Sequence, residues 1–276
     1  MRIHIRHATT YTYDQPAKAV IQLLRLTPRA CEGQSVRRWR IDLDVDGSLR
    51  QSEDAFGNVT HMLSLAGPIA RLTVAADGEV ETMETDGVVR GAVERFPTGL
   101  YLRETALTRP SAELAAFARD ATAGRGDPLT VLHALMLAVH RAIAFDTRPT
   151  QATTTAAEAF RIGSGVCQDL THVFIAAARV LGIPARYVGG YLWRADGALR
   201  QVQDAGHAWA EAHTPNLGWV GFDPANAICS TAAHVRVAVG LDYLGAAPVR
   251  GSRTGGPDER LDVALSVTQA AAARQD

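Results

Sequence analysis

The chain alternates apolar and polar positions through its first third and then changes period. Ile3 and Ile5 alternate with Arg2, His4 and Arg6. The stretch WRIDLDV alternates again up to Asp46-Gly47, a dipeptide that favours a tight hairpin turn. Gly57-Asn58 and Asp77-Gly78 mark further turns, with THMLSL and ARLTVAA between them. Short strands with turns at this spacing predict a β-sandwich or small barrel over residues 1–95.

The pattern turns helical after about residue 100. Ser111 is an N-cap for SAELAAFARDA, and Asp127-Pro128 pairs a capping residue with proline at the first helical position. Val131, Leu132, Leu135, Met136 and Val139 then recur at helical spacing. TTAAEAF predicts a short helix. A longer one opens at Cys167, runs through Leu181 and stops at Gly182-Ile183-Pro184. ARYVGGYLW, HAWAEAH, GWVGFD, VRVAVG and LDVALSV read as strands, and GSRTGGPDER as a polar loop. Residues 96–276 therefore read as a second domain of α+β class.

With 276 residues, 47% of them hydrophobic and 21% charged, the chain reads as a soluble globular protein of one large or two smaller domains. A formal net charge of -1 argues against broad nucleic-acid binding, which needs a basic excess. No apolar run reaches the roughly 20 residues of a membrane span. MRIHIRHATTYTYDQP has no apolar signal core. Cys31, Cys167 and Cys229 are too few for a disulfide framework, so a reducing cytoplasm is the expected compartment.

One of these cysteines sits in a setting suited to chemistry. Cys167 opens a helix, where unsatisfied N–H groups and the macrodipole favour an anion, and thiolate is the reactive form of cysteine. Gly163, Ser164 and Gly165 just before it allow close approach of a substrate backbone, and the Cys167 N–H can face an oxyanion. His172 is a poor base for this thiol, since five residues place it roughly 140° around the helix. It shares a face with Asp169 and is expected to pair with that residue or with surrounding backbone. His207 is the better base. In HAWAEAH, His207, Trp209, Glu211 and His213 point to one face of a strand; in GWVGFD, Trp219, Gly221 and Asp223 share a face. A hairpin centred on Pro215 sets His207 opposite Asp223 with Cβ atoms about 5 Å apart, and a one-residue slip would separate them. An acid so placed orients the imidazole and stabilises imidazolium.

Blander readings remain beside this one: a packing cysteine, a satisfied strand histidine, and an Asp223-Pro224 turn. Zinc held by Cys167, His207, His213 or Cys229 is another joint reading, but no CxxC pair exists and the spacings match no compact structural site.

The segments GSGVCQDLTHVFIAAARVLGIPARYVGGYL, GHAWAEA and GWVGFDP together resemble the transglutaminase-like superfamily, and within it the bacterial proteins described as cysteine proteases. YTYDQPAKAVIQLLRLTPR resembles the start of their N-terminal β-domain, and VRVAVGLDYLGAAPVRGSRTGG fits their C-terminal strands. The resemblance implies a papain-like α+β core preceded by a sandwich-like β-domain. It implies Cys167 as nucleophile, His207 as base and Asp223 as orienting acid. It further implies attack on a peptide or other amide, a thioester, and resolution by water or a second amine. Eukaryotic transglutaminases carry a tryptophan oxyanion donor upstream of the nucleophile, but no Trp occurs here from Tyr101 to Val166. Trp193, Trp209 and Trp219 lie downstream and read as packing or substrate walls. That departure puts cross-linking in doubt, not hydrolysis. A thiol-dependent amide hydrolase is the leading expectation, with acyl transfer to amines and a non-catalytic binding module as alternatives. No cofactor is needed, and no EF-hand-like loop suggests calcium. Arg194, Arg200 and Gln203 in RADGALRQVQD are candidate substrate contacts, against a plain solvated loop. Trp39, His61 and Cys31 read as structural.

Overall fold

The computed structural model describes residues 1–148, 150–195, 206–255 and 258–270. The first unit is built on two long strands, β1 (Arg2–Thr27) and β4 (Val59–Thr82), paired antiparallel, with β2 (Gln34–Leu43) and β3 (Leu49–Glu53) along the far side of β4. Register shifts at Thr12/Ala17 and Ala17/Ala19 break the β1–β4 ladder. The sheet folds back on itself there, because one apolar cluster joins Leu72, Val74 and Ala76 from one half to Val20, Leu24 and Leu63 from the other. This is the expected sandwich-like unit.

Two of its three expected turns differ. Asp46-Gly47 lies between β2 and β3, but these strands pair with separate stretches of β4 rather than with each other. Asp77-Gly78 lies inside β4, opposite Arg6 and Ile5. Gly78 is needed there for close packing, since a Cβ would meet the Trp39 ring at 2.3 Å. Gly57-Asn58 does turn the β3–β4 hairpin, with Gly57 left-handed at φ 80°.

The second unit follows β5 (Val88–Val89). Helix α1 (Ala112–Thr122) is capped by Ser111, and α2 (Pro128–Ala142) by Asp127 with Pro128 in its first turn. After β6 (Ala144–Phe145), α3 (Ala156–Ile162) carries a Thr155–Glu158 capping box. Then come β7 (Ser164–Gly165) and α4 (Cys167–Val180), followed by β8 (Ala185–Leu192), β9 (His207–Thr214), β10 (Gly218–Asp223), β11 (Ile228–Cys229) and β12 (His234–Gly240). Helix α4 is buried from Asp169 to Arg179, packed among the other helices and the sheet. Phe174 stacks on Phe222 with ring centroids 5.4 Å apart, so truncating either ring costs about 3–5 kcal/mol. Arg179 locks the far end of α4 by donating to Thr108 Oγ1 and to the carbonyls of Tyr101, Ala185 and Leu241.

The sheet order is β11-β10-β9-β8-β12, with β5 also on β10. Only residues 230–233 connect β11 at one edge to β12 at the other, so the sheet curls strongly. After α5 (Tyr243–Ala246), strands β13 (Val249–Thr254) and β14 (Glu259–Gln269) both pair with β1. Sequence order groups them with the second unit, but their hydrogen bonds place them in the first sheet.

The first unit covers the open edge of β12 through two side-chain amides. Gln34 exchanges two 2.8 Å bonds with the backbone of Arg236, and Asn58 does the same with Val239. Each amide stands in for the missing neighbour strand. Among the described residues, no helix is long and apolar enough to cross a membrane.

Candidate functional site

The site begins with the way α4 starts. Gly163, left-handed at φ 73°, ends α3, and β7 then pairs with β6. Val166 has no side-chain acceptor for capping. Asp169 in the first turn reaches back instead: its Oδ2 accepts the Val166 N–H at 2.8 Å and the Thr150 hydroxyl at 2.7 Å. Gly165 leaves room for that carboxylate, as a Cβ there would meet Asp169 Oδ2 at 2.6 Å. Cys167 is thereby fixed at the first helical position, among N–H groups that have no partner within the helix.

Strand β9 brings His207 to this helix end, and β10 brings Asp223. His207 Nε2 lies 2.7 Å from Asp223 Oδ2, both residues being buried. That bond leaves Nδ1 unengaged, and Cys167 lies close enough to act on the charge of His207. Burial disfavours the imidazolium, but the charge and hydrogen bond of Asp223, and then Cys167, push the His207 pKa up to about 10. For Asp223, burial acts upward and is outweighed by His207 and His234, which hold the carboxyl far below the usual carboxylate range.

Asp223 carries five donors. Oδ1 accepts from the backbone N–H groups of Ala225 at 3.1 Å and Asn226 at 3.2 Å. Oδ2 accepts from His207, from the Asn226 amide at 2.7 Å and from His234 Nε2 at 3.2 Å. One oxygen makes the Asp223-Pro224 turn and the other takes the imidazoles, so the turn and the His207 partnership coexist. Trp209 flanks both rings, stacked on His207 and edge-on to His234.

His207 and Asp223 come together in a register different from the expected one. The ladder pairs Thr214 with Gly218 and Ala210 with Phe222, which centres the hairpin on Asn216 rather than Pro215. The three-residue loop 215–217 lies one position later than the expected centre would set it, and it closes at left-handed Gly218 (φ 76°). The two-residue shift keeps both side chains on one face.

His172 stands apart from the thiol. It is fully buried, its Nε2 accepts the Tyr243 N–H at 3.0 Å, and burial lowers its pKa to about 4. It pairs with backbone, as expected, and not with Asp169. The zinc set does not assemble. His213 packs edge-on against Trp219, and Cys229 sits on β11 with its thiol pKa raised by burial. Among the described residues, the ligand atoms that gather within 4.8 Å are those of His207, Asp223 and His234. A cation there would have to displace the hydrogen bonds that already join all three. Trp193 packs against the core, while Trp219 faces Arg186, whose guanidinium carbon lies 3.9 Å from the ring centroid. Arg200 and Gln203 fall outside the described residues.

Sequence reasoning missed His234 and Asn226. Asn226 lies three residues past Asp223 in an Asx-type turn, a local signal that was open to reading. His234 had none, because only the curl of the sheet brings β12 to the end of β10.

Comparison with known proteins agrees with this fold. The family described as "Bacterial transglutaminase-like N-terminal region" matches residues 3–81, and "Transglutaminase-like superfamily" matches residues 115–224. The uncharacterized protein ML0607 of Mycobacterium leprae is 30% identical, covering 98% of this chain and 99% of its own. The uncharacterized protein Mb2599c of Mycobacterium bovis is 27% identical, covering 96% and 92%. A crystal structure from Cytophaga hutchinsonii, described as a candidate cysteine protease, shares the fold with a TM-score of 0.73 at 19% identity, covering 96% of this chain and 90% of that one.

Proposed function

From the membership of this chain in the transglutaminase-like superfamily, we propose that it is a thiol-dependent amide hydrolase using Cys167, His207 and Asp223. The observation that carries this reading is a buried His207 that joins a five-donor Asp223 and stands within electrostatic reach of Cys167 at its helix start. His207 takes the thiol proton as the Cys167 sulfur attacks the carbonyl of a peptide or other amide. The Cys167 N–H at the helix start faces the developing oxyanion. His207 gives its proton to the leaving amine as the C–N bond breaks, and a thioester remains. Water then attacks as His207 takes its proton, the C–S bond breaks, and His207 returns the proton to the Cys167 sulfur as the carboxylic acid leaves.

The reacting groups fall within residues 96–276, which we read as the catalytic domain, with residues 1–95 as its brace. The three unpaired cysteines suit a reducing cytoplasm.

The test is iodoacetamide alkylation of Cys167 against pH in the wild type and His207→Ala. Fast alkylation at pH 6 that collapses in the variant supports the reading. Equal, slow rates in both proteins refute it in favour of a binding module. Turnover of a peptide library in H2(18)O with added amine then separates water from amine as the acceptor. Label in a new carboxyl marks hydrolysis, and amine adducts mark acyl transfer.

A further inference from the structure

Asp223 has two imidazole partners, and the mechanism above uses one. His234 opens β12, and its Nδ1 accepts the backbone N–H of Thr231 at 3.0 Å. An acceptor nitrogen bears no hydrogen, so the ring proton belongs on Nε2, which faces Asp223 Oδ2 at 3.2 Å. His234 is buried, with Trp209 edge-on to its ring at 5.2 Å between centroids. The titratable groups facing Asp223 are thus His207 and His234, both on the same oxygen.

We propose that His234 is a positioning residue: fixed as the Nε2–H tautomer by the Thr231 amide, it holds the Asp223 carboxylate as the anion that orients and charges His207. This rests on the reading of Cys167, His207 and Asp223 given above. Without that donor the buried carboxylate is less well satisfied. The proton shared with His207 then shifts toward Asp223, and less imidazolium remains to support a reactive thiol. The proposal also gives the first unit a part in the chemistry. Gln34 and Asn58 clamp β12, the strand from which His234 reaches Asp223.

The experiment compares Cys167 alkylation by iodoacetamide between pH 5 and 10 in the wild type, His234→Leu and His234→Gln, alongside ring 15N spectra of the wild-type histidines. The expected result is a rate at pH 6 about tenfold or more lower in His234→Leu, with the profile moved to higher pH. His234→Gln, which keeps an N–H donor, should recover most of the rate, and the His234 ring should show the Nε2–H tautomer. A His234→Leu profile that superimposes on the wild type overturns the proposal. So does His234→Gln being as impaired as His234→Leu, or an Nδ1–H tautomer. Should His234→Leu fail to fold, the Gln variant and the spectrum decide. A wild-type profile that does not depend on His207 overturns the hydrolase reading and this inference together, whereas a His207-dependent profile indifferent to His234 overturns this inference alone.

Discussion

His207 and Asp223 are diagonal neighbours on the β9–β10 hairpin, and their side chains still meet at 2.7 Å. Directly opposite residues would have Cβ atoms about 5 Å apart, and diagonal ones somewhat farther. The imidazole and the carboxylate span that extra distance, and the turn at Ala225 and Asn226 aims the carboxylate back along the strand.

Asp223→Asn keeps the shape and removes the charge. His207 then loses the anion that stabilises imidazolium, and its tautomer is free to reverse. Alkylation of Cys167 at pH 6 should slow by about tenfold or more, and amide turnover by roughly 10²- to 10⁴-fold. Rates within twofold of wild type would show that Asp223 only forms a turn.

The same pair makes stability depend on pH. His207 has its pKa raised from 6.5 to about 10, so its contribution is complete below 6.5 and fades as pH rises toward 10. Asp223 has its pKa lowered, so its contribution is present above the ordinary carboxylate range and is lost on strong acidification. Urea unfolding of wild type and His207→Gln should therefore differ most near pH 5–6 and converge near pH 10. A gap that stays constant across this range would mean that the pair adds nothing to folding as an ion pair.

The buried neutral histidines act in the opposite sense. Burial lowers both His172 and His7 from 6.5 to about 4, so the stability tied to their neutral forms is lost as pH falls from 6.5 toward 4. His172→Gln retains an acceptor for the Tyr243 N–H without a proton to gain. It should flatten part of the acid limb in a pH series of thermal unfolding and leave Cys167 alkylation unchanged. A large drop in alkylation would mean that His172 touches the reacting thiol after all.

What the sequence revealed was what local physics decides. The Ser111 and Asp127 caps, the start of α4 at Cys167 and the shared face of His207 and Asp223 follow from spacings of a few residues. What it hid depends on distant partners. Asp77-Gly78 carries a turn signature, yet the Trp39 ring across the sheet needs the missing side chain, so the strand runs on. The LDVALSV strand reads correctly as a strand, but nothing local says that it joins β1 at the other end of the chain. His234 became visible only once the sheet was seen to curl.

Glu211 tests how far the brace beneath the site tolerates a broken charge pair. It is fully buried two residues beyond Trp209, accepting Arg186 Nε at 2.6 Å and Arg236 Nε at 2.8 Å. Arg186 also grips Glu94 at 2.8 Å, tying the segment before α1 to the sheet. Burial opposes the carboxylate, but Arg236 and Arg186 together hold its pKa down to about 2. Glu211→Gln leaves two guanidinium groups short of a counter-charge in a dry interior, which should cost about 3–5 kcal/mol. The loss should show in urea unfolding at pH 7 and shrink as pH falls from the ordinary glutamate range toward 2, where the wild type loses the charge as well. Arg236 and His234 share β12, so the variant should also slow Cys167 alkylation, and less than His234→Leu does. A stability change under about 1 kcal/mol would mean that water or Glu94 replaces the lost charge, and that β12 is held by the Gln34 and Asn58 clamps alone.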